Sequence, residues 1–543
     1  MQLFKNFCDY TLDKNGVLEK FELKYPDNYN FGYDVVDEMA KCAPNDIAVQ
    51  WTNVHNERKT FTFSDIATLS NKAANALRNN GVKKGDKVLV ILKRNYEYWY
   101  IVPALHKLGA VVIPATNMLT LDDITYRIET ANIKFAVSTP DDVTAETLVQ
   151  AKTVKSQLEK VFVVRRDVEG SINLTKEIEN ADENLERVQT KAKEPMLIYF
   201  TSGTTGYPKA VMHNHTYTLA HIVTAKFWQN VKENGLHLTV AETGWGKASW
   251  GKIYGQWLCG CGVMVYDFDI FSPEKLLKVI EDFKVTSFCA PPTVYRYFIK
   301  KDMKKFDLSH LEHITTAEVF EQVHKQTGLQ IMEGFGQTES VLMLGNLVGS
   351  TAKIGSLGKP TPLYNIMIAD NEGNRLPANE VGEIVVIPSE NQHGIFMGYC
   401  GNEDLYANVW KYGIYHTGDT AYMDDDGYYW YVGRIDDLIK TRGYRVGPFE
   451  IENVLMEHPA VMECAVTGIP DKARGQAIKA TIHLAKGFDK SKELMQDIKH
   501  FVNSKVASYK HIQHIEFIDE MPKTISGKIK RIDIRDIDRT KLC

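Results

Sequence analysis

Tyr199-Phe200-Thr201-Ser202-Gly203-Thr204-Thr205-Gly206-Tyr207-Pro208-Lys209 follows a short apolar run, Met196 to Phe200, that reads as a strand. A turn this rich in glycine and hydroxyl groups, closed by a lysine, has the composition of a phosphate cradle. Gly203 and Gly206 admit positive φ and let backbone N–H groups approach an anion, while Thr201, Ser202, Thr204, Thr205 and the Lys209 ammonium supply further donors. It is not a Walker loop. No Gly-Lys pair stands at the required spacing, and Pro208 interrupts the N–H fan where such a loop opens its helix. A plain Ser/Thr/Gly surface loop is the competing reading, and the lysine directly after a strand and turn favours a polyphosphate.

Around this stretch the chain alternates helix and strand. Ile66, Leu69, Ala73 and Leu77 share one helical face, with Ser64 or Asp65 as the expected cap and Gly81 as the stop. A buried strand is predicted at Val88 to Leu92, a helix at Trp99 to Leu108 ending on Gly109, and a strand at Val111 to Pro114, completing a β-α-β unit. Parallel sheet follows from that pattern, and strand-like runs recur at 135–137, 161–164, 263–266 and 287–290. Asp424-Asp425-Asp426-Gly427 signals a tight hairpin, and beyond Asp436 a smaller segment has its own alternation of strands and helices.

The 543 residues, 44% of them apolar, suffice for two or more domains with substantial cores. With 64 basic and 69 acidic side chains and a formal charge of −5, no extended basic field marks the chain as a nucleic-acid binder. No apolar run approaches the ~20 residues needed to span a bilayer, and the start of the sequence lacks a long apolar signal region, so neither secretion nor a membrane partner is expected. Cysteines at 8, 42, 259, 261, 289, 400, 464 and 543 are sparse and irregularly spaced, which fits a reducing, cytoplasmic location. Cys259-Gly260-Cys261 reads as a tight strand entry, since a second ligand pair for a metal is missing.

The loop at 201–209 resembles the signature of the adenylate-forming superfamily, which includes acyl-CoA synthetases, luciferases and peptide-synthetase adenylation domains. Further motifs stand in that family's order over nearly the whole chain. Gly334-Phe335-Gly336-Gln337-Thr338-Glu339 resembles its second nucleotide motif, Tyr415-His416-Thr417-Gly418-Asp419 its ribose motif, and Gly433-Arg434-Ile435-Asp436-Asp437 its hinge. Pro522-Lys523-Thr524-Ile525-Ser526-Gly527-Lys528 resembles its catalytic-lysine loop, and Glu242 to Lys252 the pocket wall of medium-chain acyl-CoA synthetases.

The resemblance implies an α/β fold: a large layered N-terminal domain over 1–434, with two helix-packed sheets and a small β-barrel-like part, and a mobile α+β lid over 435–543. It implies an ATP-dependent acyl-CoA synthetase that takes a small carboxylic acid, ATP and CoA, with Mg²⁺ as cofactor. By residue, the loop 201–206 with Lys209 would hold the β- and γ-phosphates, with Glu339 and Thr204 on Mg²⁺ and Thr338 on the α-phosphate. Phe335 would stack on adenine and Asp419 take the ribose hydroxyls, Arg434 reinforcing the ribose and Arg445 the phosphate. Lys528 would bridge carboxylate and α-phosphate before the lid turns about Asp436 and brings the Gly443 region to the CoA channel. Acetyl-specific members carry tryptophan where this chain has Gly336, so a longer or branched acyl group is implied, with Trp245 and Lys247 beside it.

One departure stands out. Thr315-Thr316-Ala317 runs directly into Glu318-Val319-Phe320, about six residues shorter than the family pattern and up to ~20 Å less extended reach. This departure makes an impaired or non-catalytic nucleotide-binding relative one alternative reading; a module that uses the same adenylation site to load a carrier protein is another.

Overall fold

The computed structural model describes residues 2–201, 208–316, 321–390, 392–524 and 529–542. The chain divides into two compact units. The first comprises residues through Thr201 together with Pro208–Asn365 and Pro388–Asn408, and the second Ile366–Ile387 with Val409–Cys543.

Two sheets organise the first unit. In one, eight strands lie in the order Gly398–Tyr399, Lys209–Asn214, Pro195–Thr201, Val111–Pro114, Lys87–Ile91, Phe135–Ser138, Lys160–Val163 and Ile172–Asn173. Lys87–Ile91 runs parallel to both Val111–Pro114 and Phe135–Ser138, as the β-α-β pattern requires. These strands read as unbroken apolar runs because both faces are covered. The other sheet has nine strands, with Gly262–Asp267, Leu236–Thr239, Ser287–Cys289, His313–Thr316 and Ile331–Phe335 parallel at its centre.

The helix Tyr98–Leu108 is buried along its whole length. Two of its buried polar groups are paired: His106 Nε2 meets the Tyr254 hydroxyl at 3.0 Å, and Trp99 Nε1 donates to the Lys252 carbonyl at 2.6 Å. Gly109 ends it in the left-handed region, φ 67°, where a side chain is disfavoured. The helix Phe63–Asn79 is capped not by Ser64 or Asp65 but by Thr62, whose hydroxyl accepts from the Asp65 N–H while the Asp65 carboxylate accepts from Thr62 N–H. That reciprocal box contributes about 1 kcal/mol. Cys259 and Cys261 are buried, unpaired thiols at the entry to Gly262–Asp267, and burial raises the pKa of both. Gly262 is needed there, since a Cβ would stand 2.7 Å from the Ile47 carbonyl oxygen.

The second unit holds a four-stranded sheet in the order Asn365–Ala369, Gly382–Ile387, Tyr415–Met423 and Tyr429–Arg434, which is the small β part. Its last two strands form the expected hairpin, with Asp424 Oδ1 accepting from the N–H groups of Asp426 and Tyr428. A five-stranded sheet follows, built on the long antiparallel pair Val461–Asp471 and Gly475–Leu484, with His514–Ile518 parallel to the latter. The helices Pro448–Met456 and Lys492–Asn503 bury Ile451, Leu455, Ile498 and Val502 in its core, giving an α+β body. No helix among the described residues is long and apolar enough to cross a membrane.

Candidate functional site

Pro195–Thr201 and Lys209–Asn214 are antiparallel neighbours, with Thr201 paired to Lys209. The two ends of the glycine- and hydroxyl-rich stretch, Thr201 and Lys209, are thus held side by side in one sheet. Ser202, Gly203, Thr204, Thr205 and Gly206 lie outside the described residues. Tyr126 donates its hydroxyl to the Pro208 carbonyl at 3.1 Å, and Arg127 lies over the Phe200 ring at 5.1 Å.

Thr338 and Glu339 form a turn after the strand Ile331–Phe335. The segment Gly394–Cys400 joins this turn to the hairpin. Its first half pairs with the turn: Val341 N–H donates to Gly394 O and Phe396 N–H to Glu339 O, at 3.0 and 2.7 Å. Its second half pairs with the hairpin, Met397 N–H to Met212 O and Cys400 N–H to Ala210 O, at 2.9 and 2.8 Å. Tyr399, buried and aligned with Val211, donates its hydroxyl to Glu339 Oε1 at 2.9 Å, while Lys209 Nζ lies 5.5 Å from its ring centroid. His213 Nε2 donates to the Thr338 carbonyl at 2.8 Å. Burial lowers the His213 pKa to about 4, so the ring is neutral at pH 7.

The 242–252 segment reaches the same turn. Gly246 lies against Thr338, its Cβ direction 3.6 Å from Thr338 Oγ1, and Gly244 packs on the backbone of Ala115 and Thr116, where a Cβ would come within 2.3 Å. Trp245 and Lys247 are half-buried on either side of Gly246. Gly336 faces the edge of the Trp250 indole, 2.4 Å from a Cβ built there. The space that a side chain at 336 would take is therefore filled by Trp250. Tyr199 hydrogen-bonds Ser249 at 2.7 Å, and burial pushes its phenol up to about 12. Phe335 ends its strand half-buried. The described helix after His313–Thr316 runs Glu321–Thr327, and Ala317 and Glu318 lie outside the described residues.

In the second unit Asp419 and Arg434 are cross-strand partners. Asp419 is 5% exposed and holds Tyr431 Oη on Oδ1 at 2.9 Å and Arg434 Nη1 on Oδ2 at 3.1 Å. Gly418, at φ 73°, makes room for the guanidinium, since a Cβ there would stand 2.7 Å from Arg434 Nη2. The Asp419 carboxylate, with Tyr431, raises the Arg434 pKa despite its burial. Glu383 fixes the preceding residues by accepting from His416 Nδ1 and Gly418 N–H, both at 2.7 Å. Asp436 is exposed in the short turn Ile435–Asp437, and its neighbour Asp437 is gripped by Arg531 and Arg535 at 3.3 and 2.9 Å. Gly443, φ 84°, sits exposed at the tip of a hairpin whose second strand carries Arg445. The Arg445 side chain and all of Lys528 lie outside the described residues.

Residues 36–400 match the AMP-binding enzyme family, and residues 450–528 match the AMP-binding enzyme C-terminal domain. The chain belongs to the AMP-binding enzyme family. Among similar proteins of this superfamily, human acyl-coenzyme A synthetase ACSM3, mitochondrial, is 36% identical over 98% of this chain and 92% of its own length. 4-Hydroxybutyrate–CoA ligase 1 of Metallosphaera sedula is also 36% identical, over 94% of this chain and 91% of its own. The crystal structure of the anthranilate CoA ligase AuaEII in complex with anthranoyl-AMP superposes with a TM-score of 0.86 at 27% identity, covering 95% of this chain and 99% of that one. This AMP-binding enzyme is accordingly an adenylate-forming, acyl-CoA-synthetase-like protein of α/β fold.

Tyr399, His213, Tyr431 and Glu383 were not legible in the sequence as site residues. Each acts through a partner distant in the chain or on a neighbouring strand, and no local motif announces such a partner.

Proposed function

We propose that this AMP-binding enzyme is an AMP-forming acyl-CoA synthetase for short- to medium-chain or branched acids. Its acid attacks the α-phosphorus of ATP, pyrophosphate leaves, and CoA then displaces AMP from the acyl-adenylate. The observation that carries this reading is the strap of backbone that joins the Lys209 strand to the Thr338–Glu339 turn in the first unit, with the 244–250 wall packed on that turn through Gly246.

The attack brings two anions together, so cations and oriented donors must take up the charge. In our reading Lys209 and the residues Thr201 to Gly206 hold the β- and γ-phosphates. Thr338 directs its hydroxyl to the α-phosphate, its backbone being held by His213, and Phe335 stacks on adenine. Asp419 takes the ribose hydroxyls. Two donors already orient its carboxylate, and a carboxylate has lone pairs beyond those two. Arg434 steadies Asp419, and Arg445 is assigned to phosphate.

Mg²⁺, when bound, neutralises phosphate charge, with Glu339 and Thr204 as its protein ligands. The donor set suits that ion. Tyr399 occupies one oxygen of Glu339 and leaves the other, a hard carboxylate oxygen of the kind Mg²⁺ takes, beside substrate phosphates in our reading.

The acyl chain lies beside Gly336, Trp245 and Lys247, with Trp250 as its apolar end wall. An acid of about four carbons is consistent with the name of the archaeal ligase. The segment from 435 acts as the lid, turning about Asp436 to exchange Lys528 for the Gly443 region. We place the protein in the cytoplasm on the strength of its scattered, unpaired cysteines. Its mammalian relatives are named mitochondrial, which makes the organelle interior the other reducing compartment to test.

The test is AMP release from ATP with butyrate or 2-methylbutyrate, with and without CoA. CoA-dependent turnover supports the proposal. Acyl-adenylate accumulating despite CoA would point to carrier loading, and silence to a non-catalytic relative.

A further inference from the structure

Resting on the reading above, we infer that Tyr399 is a positioning residue that sets Glu339 and Lys209 at a fixed separation for magnesium-bound ATP, and that Gly394–Cys400 is the splint carrying it. The splint is hydrogen-bonded at one end to the Thr338–Glu339 turn and at the other to the strand that begins with Lys209. Main-chain bonds of this kind, two at each end, hold the two motifs at a separation that neither can set alone.

Tyr399 adds side-chain control from the centre of the splint. Its hydroxyl donates to one oxygen of Glu339, which fixes the rotation of the carboxylate and aims the other oxygen in a single direction. Its ring lies under the Lys209 ammonium at a cation–π distance, which restrains a side chain that is otherwise flexible. Tyr399 is itself only 4% exposed and is anchored against Phe396, with ring centroids 4.9 Å apart. A phenol held this firmly is suited to orient its neighbours, not to exchange protons.

Two substitutions at Tyr399 separate contributions that mutagenesis of Glu339 or Lys209 merges. Tyr399→Phe removes one oxygen, keeps the ring, and so releases Glu339 while leaving Lys209 seated. Tyr399→Leu releases both. Binding of ATP to the full-length chain is measured by titration calorimetry, once with Mg²⁺ and once with EDTA.

Tyr399→Phe is expected to weaken binding about tenfold with Mg²⁺ and less than about twofold with EDTA, the range for one hydrogen bond to a charged group. In a Glu339→Gln background the same change should cost nothing further. Tyr399→Leu should weaken binding in EDTA as well, and neither change should move KM for the acid. Equal loss with and without Mg²⁺ for Tyr399→Phe, an undiminished loss in the Glu339→Gln background, or parental affinity in both variants would overturn the inference. Failure of the parent chain to bind ATP at all would instead overturn the nucleotide reading on which it rests.

Discussion

Gly447 lies so close to Val432 that a Cβ on the glycine would stand 2.1 Å from the Val432 carbonyl oxygen. The contact belongs to a small seam in which Phe449 meets Tyr431 edge-on at 5.4 Å and Pro448 approaches Gly433. Asp436, the proposed pivot, lies in the chain between the two sides of this seam. Any rotation about it must open the seam, and re-forming it requires glycine at 447.

Gly447→Ala is therefore expected to disfavour this orientation and to change the two half-reactions unequally. Single-turnover rates of adenylation and of thioester formation from supplied acyl-adenylate should shift in ratio by at least about tenfold, the effect of ~1.4 kcal/mol on one orientation. Equal change in both rates would show that the seam does not report lid position.

Lys528→Ala should cripple adenylation, by about a hundredfold or more for loss of a charge-stabilising donor, and spare thioester formation from acyl-adenylate. Rapid-quench measurement of each half-reaction decides it. Loss of both steps together would argue against a lysine that serves one step only.

Trp250→Leu should lengthen the acyl preference, because the indole fills the space beside Gly336. Each additional buried CH₂ contributes ~0.8 kcal/mol, or about fourfold in kcat/KM, up to the length of the new cavity. A series from acetate to octanoate measures the shift, and an unchanged optimum would remove Trp250 from the acyl pocket.

Mild acid should destabilise the first unit. His213, His215 and His313 have pKa values lowered to about 4, and His237 to about 3, by burial; His106 and His221 also lie well below the ordinary 6.5. Between the folded values and 6.5 the unfolded chain binds more protons, so stability falls as pH drops through that window. Each such ring contributes a slope approaching about 1.4 kcal/mol per pH unit. Glu97, raised to about 7 by burial, works in the opposite sense, as do Asp37, Glu242 and Asp267, which burial also raises, but four carboxyls do not offset six imidazoles. The unfolding midpoint in urea should be lower at pH 5.5 than at pH 7.5. A midpoint that holds or rises would contradict the neutral-histidine core.

The elements that were legible in the sequence are those whose cause is local. Gly109 after an apolar helix, the Asp424–Gly427 hairpin and the unbroken apolar strand at 88–91 each state their conformation within a few residues. The cap at Thr62 was missed because the residue also ends the strand Arg58–Thr62, and only its reciprocal bond with Asp65 reveals the second role. Gly336 implies open space on sequence grounds, and no pattern in the chain predicts that Trp250, far upstream, occupies it. Tyr399 was invisible for a related reason: its link to Glu339 exists only because Gly398–Tyr399 pairs with Lys209–Asn214.

The most direct test of the central claim is acid-dependent turnover of ATP by the full-length chain, with AMP and thioester counted together. With ATP, Mg²⁺, butyrate and CoA, AMP and butyryl-CoA should appear in equal amounts, and leaving out the acid should abolish both. ATP bound at millimolar concentration without AMP release for any acid from acetate to octanoate would contradict the account.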